Sequence, residues 1–152
     1  MQKLLVFPVA IAEAILKYYG EYSDKERIIL LFLKESEVGI YVNNIVFPPT
    51  EEYKLSSRNN ASLKPDYLLG RIVDAINEDA VGIILMHNHT NCLPLFSRSD
   101  RLANKMFFRF FRQNNIGLIA GSAVYAQSRV SYVTNSDLLR NGYCVKLHNK
   151  RG

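Results

Sequence analysis

Residues 81–100 read VGIILMHNHTNCLPLFSRSD, and this stretch indicates both the fold class and the place of the functional site. Its first six residues are apolar without alternation, which predicts a strand that is covered on both faces. The polar loop that follows holds two of the three histidines in the chain. Because ligand sites in α/β sheets lie just beyond the ends of strands, we expect the functional site in this loop.

Helical and extended patterns alternate on either side of this strand. Apolar residues at helical spacing predict one helix within about residues 1–20, one from Pro65 to about residue 76, and one that follows the histidine loop and ends near Asn114. In the third helix, Phe107 and Phe111 are expected in the core and Phe108 on the surface. Further strands are predicted at 28–33, 38–47, 117–126 and 129–133, the first two as a hairpin. The fold class is therefore α/β, with a central mixed β-sheet flanked by helices.

Two polar segments are predicted to lie outside these elements. Residues 50–60 are expected to form a long exposed loop, and residues 143–152 a basic tail in which His148 is solvated. Neither segment has the composition of a linker between domains. We therefore interpret residues 1–152 as a single domain.

Composition limits the classes of protein to which the chain can belong. Of its 152 residues, 48% are hydrophobic, which is enough for one core, and the apolar runs are too short to cross a bilayer. No secretory signal is expected at the N-terminus. The two cysteines do not form a disulfide framework, which favours the cytoplasm. The formal net charge of +5 is compatible with an ordinary surface, a nucleic acid or an acidic protein partner.

The histidine loop has the residue types and the spacing of a metal site. Residues two apart in an extended segment point to the same side, so His87 and His89 can present two imidazoles to one ion. Asp100 is expected in the first turn of the third helix, with Ser99 as its N-cap, and can supply a third ligand. Two nitrogens and one carboxylate oxygen favour a single zinc ion and leave a fourth position for water, which indicates a catalytic site.

Cys92 lies in the same loop and allows two interpretations. Its thiolate can occupy the fourth position on zinc, or the residue can be a small buried hydrophobe. The sequence alone leaves both alternatives open.

The motif resembles that of a known family. His87-x-His89, seven residues, Ser97, two residues and Asp100 match the zinc motif of the JAB/MPN (JAMM) metalloproteases, and the surrounding sequence is similar to the RadC-like branch. The similarity extends from Asp24 through the histidine loop to Val133. Two positions depart from the RadC-like pattern: residues 90–92 are Thr-Asn-Cys instead of Pro-Ser-Gly, and residues 121–122 are Gly-Ser instead of Asp-His.

The resemblance implies a single MPN domain with the cytidine-deaminase-like fold, in which His87, His89 and Asp100 bind zinc. An upstream glutamate acts as general acid and base in this family, and its position before a strand corresponds to Glu26, with Glu35 and Glu37 as alternatives. The motif serine, here Ser97, would stabilise the oxyanion of the reaction; a polar role at the helix start is the alternative.

The resemblance also implies a function. The implied activity is that of a zinc metallopeptidase that hydrolyses a peptide or isopeptide bond, as deubiquitinase-like bacterial members do, at the extended C-terminal tail of a ubiquitin-like protein. Residues 50–60 would then be a candidate clamp for the tail. One alternative is a RadC-like protein associated with DNA repair that binds or cleaves nucleic acid, and another is an inactive scaffold. The sequence does not predict an oligomeric state.

Overall fold

The computed structural model describes residues 3–37 and 39–147, with the backbone alone described at 143–145. These residues form three α-helices, a 3₁₀ turn at Thr50–Glu52 and nine strands. The helices are α1 (Val9–Glu21), α2 (Pro65–Asn77) and α3 (Arg98–Gln113). The strands are β1 (Leu5–Val6), β2 (Ile28–Ser36), β3 (Gly39–Val46), β4 (Tyr53–Ser56), β5 (Ala61–Leu63), β6 (Gly82–Asn88), β7 (Ile119–Ala126), β8 (Arg129–Thr134) and β9 (Gly142–Lys146).

Seven of these strands form one mixed sheet in the order β1-β3-β2-β6-β7-β8-β9. The pairs β2–β3 and β2–β6 are antiparallel, whereas β6 and β7 are parallel and are connected through α3. The predicted α/β class, the mixed sheet and the first hairpin are therefore confirmed. None of the helices in the described part of the chain is long and apolar enough to span a membrane.

Helices cover the two faces of the central strands. On β2, Ile29, Leu31 and Leu33 belong to the core on the α1 side. The alternate residues Ile28, Leu30 and Phe32 belong to the core beneath α2 and α3. The apolar run without alternation at 28–33 thus reports burial on both faces, as the sequence predicted.

The prediction of an exposed loop at 50–60 was right about exposure, since most of these residues are exposed, but wrong about the backbone. Residues 50–56 form the 3₁₀ turn and β4, which pairs antiparallel with β5, and only residues 57–60 connect the two strands without regular structure. The hairpin is held because Tyr53 packs against the core beneath α2 and α3, while its hydroxyl donates to Ile28 O (3.0 Å) and accepts from Ile28 N (2.7 Å). The alternation of Tyr53 and Leu55 with polar residues is the sequence signal for this strand.

The two ends of the chain also differ from the prediction. The short strand β1 precedes α1, which begins only at Val9. Strand β9 occupies the first part of the predicted basic tail and pairs with β8, while His148 lies outside the described residues.

Close packing between β6 and β7 leads to the first testable prediction. A Cβ on Gly121 would lie 2.6 Å from Ile84 Cγ1, so Gly121→Ala must displace a fully buried side chain. We expect a loss of about 1–3 kcal/mol in the free energy of unfolding, measured by urea denaturation. Gly70→Ala, within α2 and with nothing near its Cβ, is the matched control, and we expect it to be neutral or to stabilise by up to about 1 kcal/mol. Equal effects at the two positions would contradict the packing argument.

Candidate metal centre

The end of β6 positions the two histidines of the motif. The strand continues two residues beyond the predicted end, so that His87 pairs with Ile28 of β2 and Val124 of β7. His89 follows directly, and its backbone N–H donates to Tyr125 O (2.9 Å). Because the backbone is extended here, both imidazoles point to the same side, and the side chain between them points away.

Three side-chain atoms converge at this point. His87 Nε2 lies 3.2 Å from His89 Nε2 and 3.2 Å from Asp100 Oδ1, and His89 Nε2 lies 2.9 Å from Asp100 Oδ2. A tetrahedral zinc ion with bonds of about 2.0–2.1 Å has ligand atoms about 3.3–3.4 Å apart. The observed separations are close to these edges, so this donor set can hold one metal ion with small side-chain adjustments.

A backbone contact orients one of the imidazole rings. His89 Nδ1 lies 3.0 Å from Leu93 O. When Nδ1 carries the proton and donates it to this carbonyl, Nε2 is left as a free lone pair that faces the cluster. The loop between His89 and Leu93 thus favours the tautomer that a metal ligand requires.

The third ligand comes from the start of α3, and here the predicted cap was wrong. Ser97, not Ser99, is the N-cap: its Oγ accepts from Asp100 N (3.1 Å), while Asp100 Oδ2 accepts from Ser97 N (2.9 Å). The two residues form a reciprocal capping box. This box orients the carboxylate toward the histidines before any metal binds.

The carboxylate of Asp100 is held in its ionised form. Burial alone would raise the pKa of Asp100, but hydrogen bonds with His87 and His89, together with the Ser97 N–H, bring it far below the usual value. The same contact with Asp100 raises the pKa of His89. The contacts of Asp100 with His87 and His89 are therefore hydrogen bonds to an ionised carboxylate, and a metal ion bound by these three residues would replace them.

Glu26 lies beside this cluster, as the resemblance implied. It lies two residues before the start of β2, is 8% exposed, and lines a cavity of about 300 Å³ together with His87 and Asp100. Burial raises its pKa, although His87 and His89 act in the opposite direction. Glu26 is thus a buried carboxyl that shares a cavity with two of the three candidate ligands.

The alternative glutamates are at the other end of β2. Glu35 pairs with Ile40 and forms a salt bridge with Lys3, beyond the point where β2 stops pairing with β6. Glu37 follows the last residue of β2. Since His87 pairs with Ile28 at the opposite end of that strand, only Glu26 of the three is close to the cluster.

No protein-family model and no curated protein matches this chain. The resemblance to the JAB/MPN metalloproteases therefore rests on the motif and the geometry of the residues themselves. It stays a prediction of the sequence.

The β4–β5 hairpin holds Glu26 from the other side. Glu26 N donates to Ser57 O (2.7 Å), and Glu26 O accepts from Ser56 Oγ (2.7 Å). The segment that the sequence indicated as a free loop is therefore part of the structure that fixes the candidate base. Asn60, which follows β4 in the same hairpin, also lines the cavity.

The side chain of Asn88, between the two histidines, connects β6 by hydrogen bonds to the backbone on both sides of Glu26. Its side chain is 3% exposed, accepts from Arg27 N (2.7 Å) and donates to Tyr22 O (2.8 Å) and Lys25 O (3.1 Å). The strand β6 thus carries metal ligands on one side and, on the other, an amide that fixes the residues around Glu26. Sequence reasoning did not assign this role, although the residue lies within the motif.

Cys92 differs from both sequence interpretations. The residue is exposed, and its Sγ accepts a hydrogen bond from Gln127 Nε2 (3.0 Å). Among the described residues, the group of side chains close enough to share an ion consists of His87, His89 and Asp100. The expectation of a buried thiol was wrong, and the sulfur is not part of the cluster.

Two further polar residues line the cavity without having been singled out as site residues. Ser122 of β7 is buried and borders the cavity that His87 also lines, and Asn104 borders it from α3. Ser122 pairs with Leu85, so its position in the middle of an apolar strand was the available signal. Both can donate hydrogen bonds to a molecule in the cavity.

Proposed function

We propose that this protein is a JAMM-type zinc metallopeptidase with the MPN fold, which hydrolyses a peptide or isopeptide bond. The observation that carries the proposal is the shared cavity: the buried Glu26 borders it together with His87 and Asp100, whose ligand atoms converge with that of His89. Structural metal sites have four protein ligands, whereas three protein ligands beside an acid–base residue are typical of hydrolytic sites.

The donor set supports zinc as the metal. Imidazole nitrogens bind zinc well, and magnesium and calcium prefer sets made only of oxygen ligands. When bound at His87, His89 and Asp100, zinc would lower the pKa of a coordinated water to about 7 and polarise the carbonyl of the substrate.

Glu26 has the position of the group that moves the proton. Its carboxylate accepts a proton from the attacking water and then gives it to the nitrogen of the amine that leaves. The burial that raises its pKa favours this second step, because the protonated form is needed as the acid. The backbone contacts with Ser56 and Ser57 keep the carboxyl at the cavity while it changes its protonation state.

Ser97 has two roles in this proposal. Its oxygen accepts from Asp100 N at the start of α3, while its hydrogen is free to point toward Ser99 Oγ or toward a substrate oxygen. Ser97 also borders a smaller cavity shared with Glu26 and His89. A hydroxyl in this position can donate to the oxyanion that develops on the substrate carbonyl.

The two roles of Ser97 can be separated by substitution. Ser97→Gly keeps a residue that is tolerated at an N-cap but removes the donor, so we expect kcat to fall by about 10²–10³ while the melting temperature changes little. Ser97→Ala removes both roles and should in addition cost about 1 kcal/mol of stability, measured by urea denaturation. Full activity in the stably folded Gly variant would restrict Ser97 to capping.

The proposed substrate is the extended C-terminal tail of a ubiquitin-like protein. The choice rests on the family resemblance, and the structure supports it in one respect: the cavity lies between α3 and the β4–β5 hairpin, whose Asn60 and Ala61 border it. An extended chain can lie along such a hairpin with its backbone paired.

The proposal is tested by cleavage of ubiquitin-like fusion proteins with purified protein. We expect cleavage at the end of the tail, its loss when a chelator removes the metal, and its return when zinc is added back. No cleavage of any fusion by protein that contains one equivalent of zinc would argue for the alternative, a RadC-like protein acting on nucleic acid. The five basic residues of α3 favour that alternative, which predicts DNA binding that weakens steeply with salt.

A further inference from the structure

Helices α2 and α3 lie on the same face of the sheet and run in the same direction. Ile72 and Ala75 of α2 and Phe111 of α3 belong to one core. Each helix is followed by a strand that starts at the same end of the sheet, where Gly82 pairs with Ile119. Both helices therefore begin at the end of the sheet that holds the metal cluster and run away from it.

Each of these helices exposes a row of large apolar side chains. On α2, Leu69 (43% exposed), Val73 (52%) and Ile76 (49%) are spaced so that they share a side of the helix. On α3, the row is Leu102 (62%), Met106 (68%) and Phe110 (36%). Phe110, not Phe108, is thus the exposed phenylalanine of α3, since Phe108 packs against the core. Exposed rows of large apolar side chains are typical of interaction surfaces.

Met106 and Phe110 of α3 and Ile76 of α2 point toward the space between the two helices. On α3, Met106 and Phe110 share a flank with Ala103, which borders the cavity beside β5. Arg101 lies on the opposite flank, where it borders a second cavity with Tyr132 of β8. On α2, Glu78 points away from α3, because its carboxylate accepts from Asn44 Nδ2 of β3 (3.3 Å). Ile76 is about 200° around the helix from Glu78 and so points toward α3.

The outer rims of this apolar face carry opposite charges. The outer rim of α2 has a net negative charge, because Asp74 and the C-cap residue Glu78 outnumber Arg71, which pairs with Asp74 (2.7 Å). The outer rim of α3 is basic, and its charged residues there are Arg98, Arg101, Lys105, Arg109 and Arg112. A surface with an apolar centre, one acidic rim and one basic rim is complementary to itself.

We propose that this face joins two copies of the chain about a two-fold axis that runs along the space between α2 and α3. This axis places α2 of one protomer on α3 of its partner, so the acidic rim meets the basic rim twice and the apolar rows are buried between them. A two-fold axis across the helices would instead place like charges together, which is unfavourable. Identical patches related by a two-fold axis form a closed dimer.

The proposal is tested by sedimentation velocity on the full chain over a range of concentrations. We expect wild type to be a dimer, and Met106→Glu, at the most exposed apolar position of the face, to be a folded monomer. Leu138→Glu is the matched control, because Leu138 is 58% exposed at the β1 edge, where its carbonyl accepts from Lys3 N, and this variant should stay dimeric. A monomeric wild type would overturn the proposal and leave the face to nucleic acid or another protein.

Charge reversal distinguishes this dimer from any other. Lys105→Glu, Arg109→Glu and Arg112→Glu together leave two positive and three negative charges on the rim of α3, so both rims become acidic. Asp74→Lys with Glu78→Lys makes both rims basic. Each variant alone should dimerise at least about tenfold more weakly than wild type, and an equimolar mixture of the two should form a heterodimer of near wild-type affinity. Circular dichroism checks that both variants are folded. A mixture that stays monomeric, or a single variant that still dimerises, would overturn the proposal, and neither readout depends on metal or catalysis.

Discussion

Glu26→Gln should leave the protein with its full equivalent of zinc but slow cleavage of a ubiquitin-like fusion by a factor of about 10²–10⁴. Glutamine has nearly the same shape as glutamate, so the contacts of the backbone with Ser56 and Ser57 should persist, whereas its amide cannot accept the proton of the attacking water. The measurements are single-turnover cleavage and metal content. Glu35→Gln, at the far end of β2, is the matched control and should keep wild-type activity.

The same variant has a second readout, in stability, whose sign follows from the pKa of Glu26. Burial raises this pKa above its ordinary value of 4.5, so the stability that the carboxyl contributes is complete below pH 4.5 and is lost as pH rises through the folded value. Because glutamine does not ionise, metal-free Glu26→Gln should melt at a higher temperature than metal-free wild type at neutral pH. The difference should shrink below pH 4.5.

If the Glu26→Gln variant is stably folded and still cleaves the fusion at the wild-type rate, Glu26 is excluded as the base.

His89→Ala should abolish stoichiometric zinc binding. The imidazole supplies one of three converging ligand atoms, and its removal leaves a pair that cannot close a tetrahedral site. At zinc concentrations about a hundredfold above the wild-type Kd, ligand binding stabilises wild type by about 2.7 kcal/mol, or about 5–10 °C in melting temperature for a chain of this size. The variant should show neither this shift nor a bound equivalent by metal analysis.

Cys92→Ala is the matched control for the loss of zinc. Its sulfur contacts Gln127 and lies outside the ligand cluster, so the variant should bind one equivalent with the wild-type shift. A wild type that contains well under one equivalent after purification with zinc, unchanged in His89→Ala, would contradict the metal site itself.

The sequence predicted the parts of this molecule that depend on local pattern. The buried run at 28–33 and the run at 81–86 are recognisable because strands covered on both faces need apolar residues at every position. The two histidines and Asp100 are recognisable because extended backbone and a helix start each fix where a side chain points.

What the sequence did not predict depends on contacts between distant segments. The strands β4 and β5 are only four and three residues long, and their hairpin is held by Tyr53 and Ser56 bonding to backbone atoms around residues 26–28, some 25 to 30 positions earlier. The predicted N-cap, Ser99, lies two residues after the observed one, Ser97, and helix ends are commonly misplaced by one or two residues. The positions of the apolar rows of α2 and α3 relative to each other follow from the order of the strands in the sheet, and this order cannot be deduced from a local sequence pattern.

The capping box at the start of α3 has a consequence for how this sequence can change over evolutionary time. Asp100 faces the histidines and also caps the start of α3 together with Ser97. It would therefore be retained for folding in a descendant that had lost its metal. The side chains of His87 and His89 do not cap a helix, and the structural contact of His89 is one hydrogen bond with Leu93 O, so mutation would remove both histidines more readily once activity was no longer selected. Among descendants of this chain, an aspartate at this position would therefore say little about catalysis, whereas the paired histidines would be the informative residues.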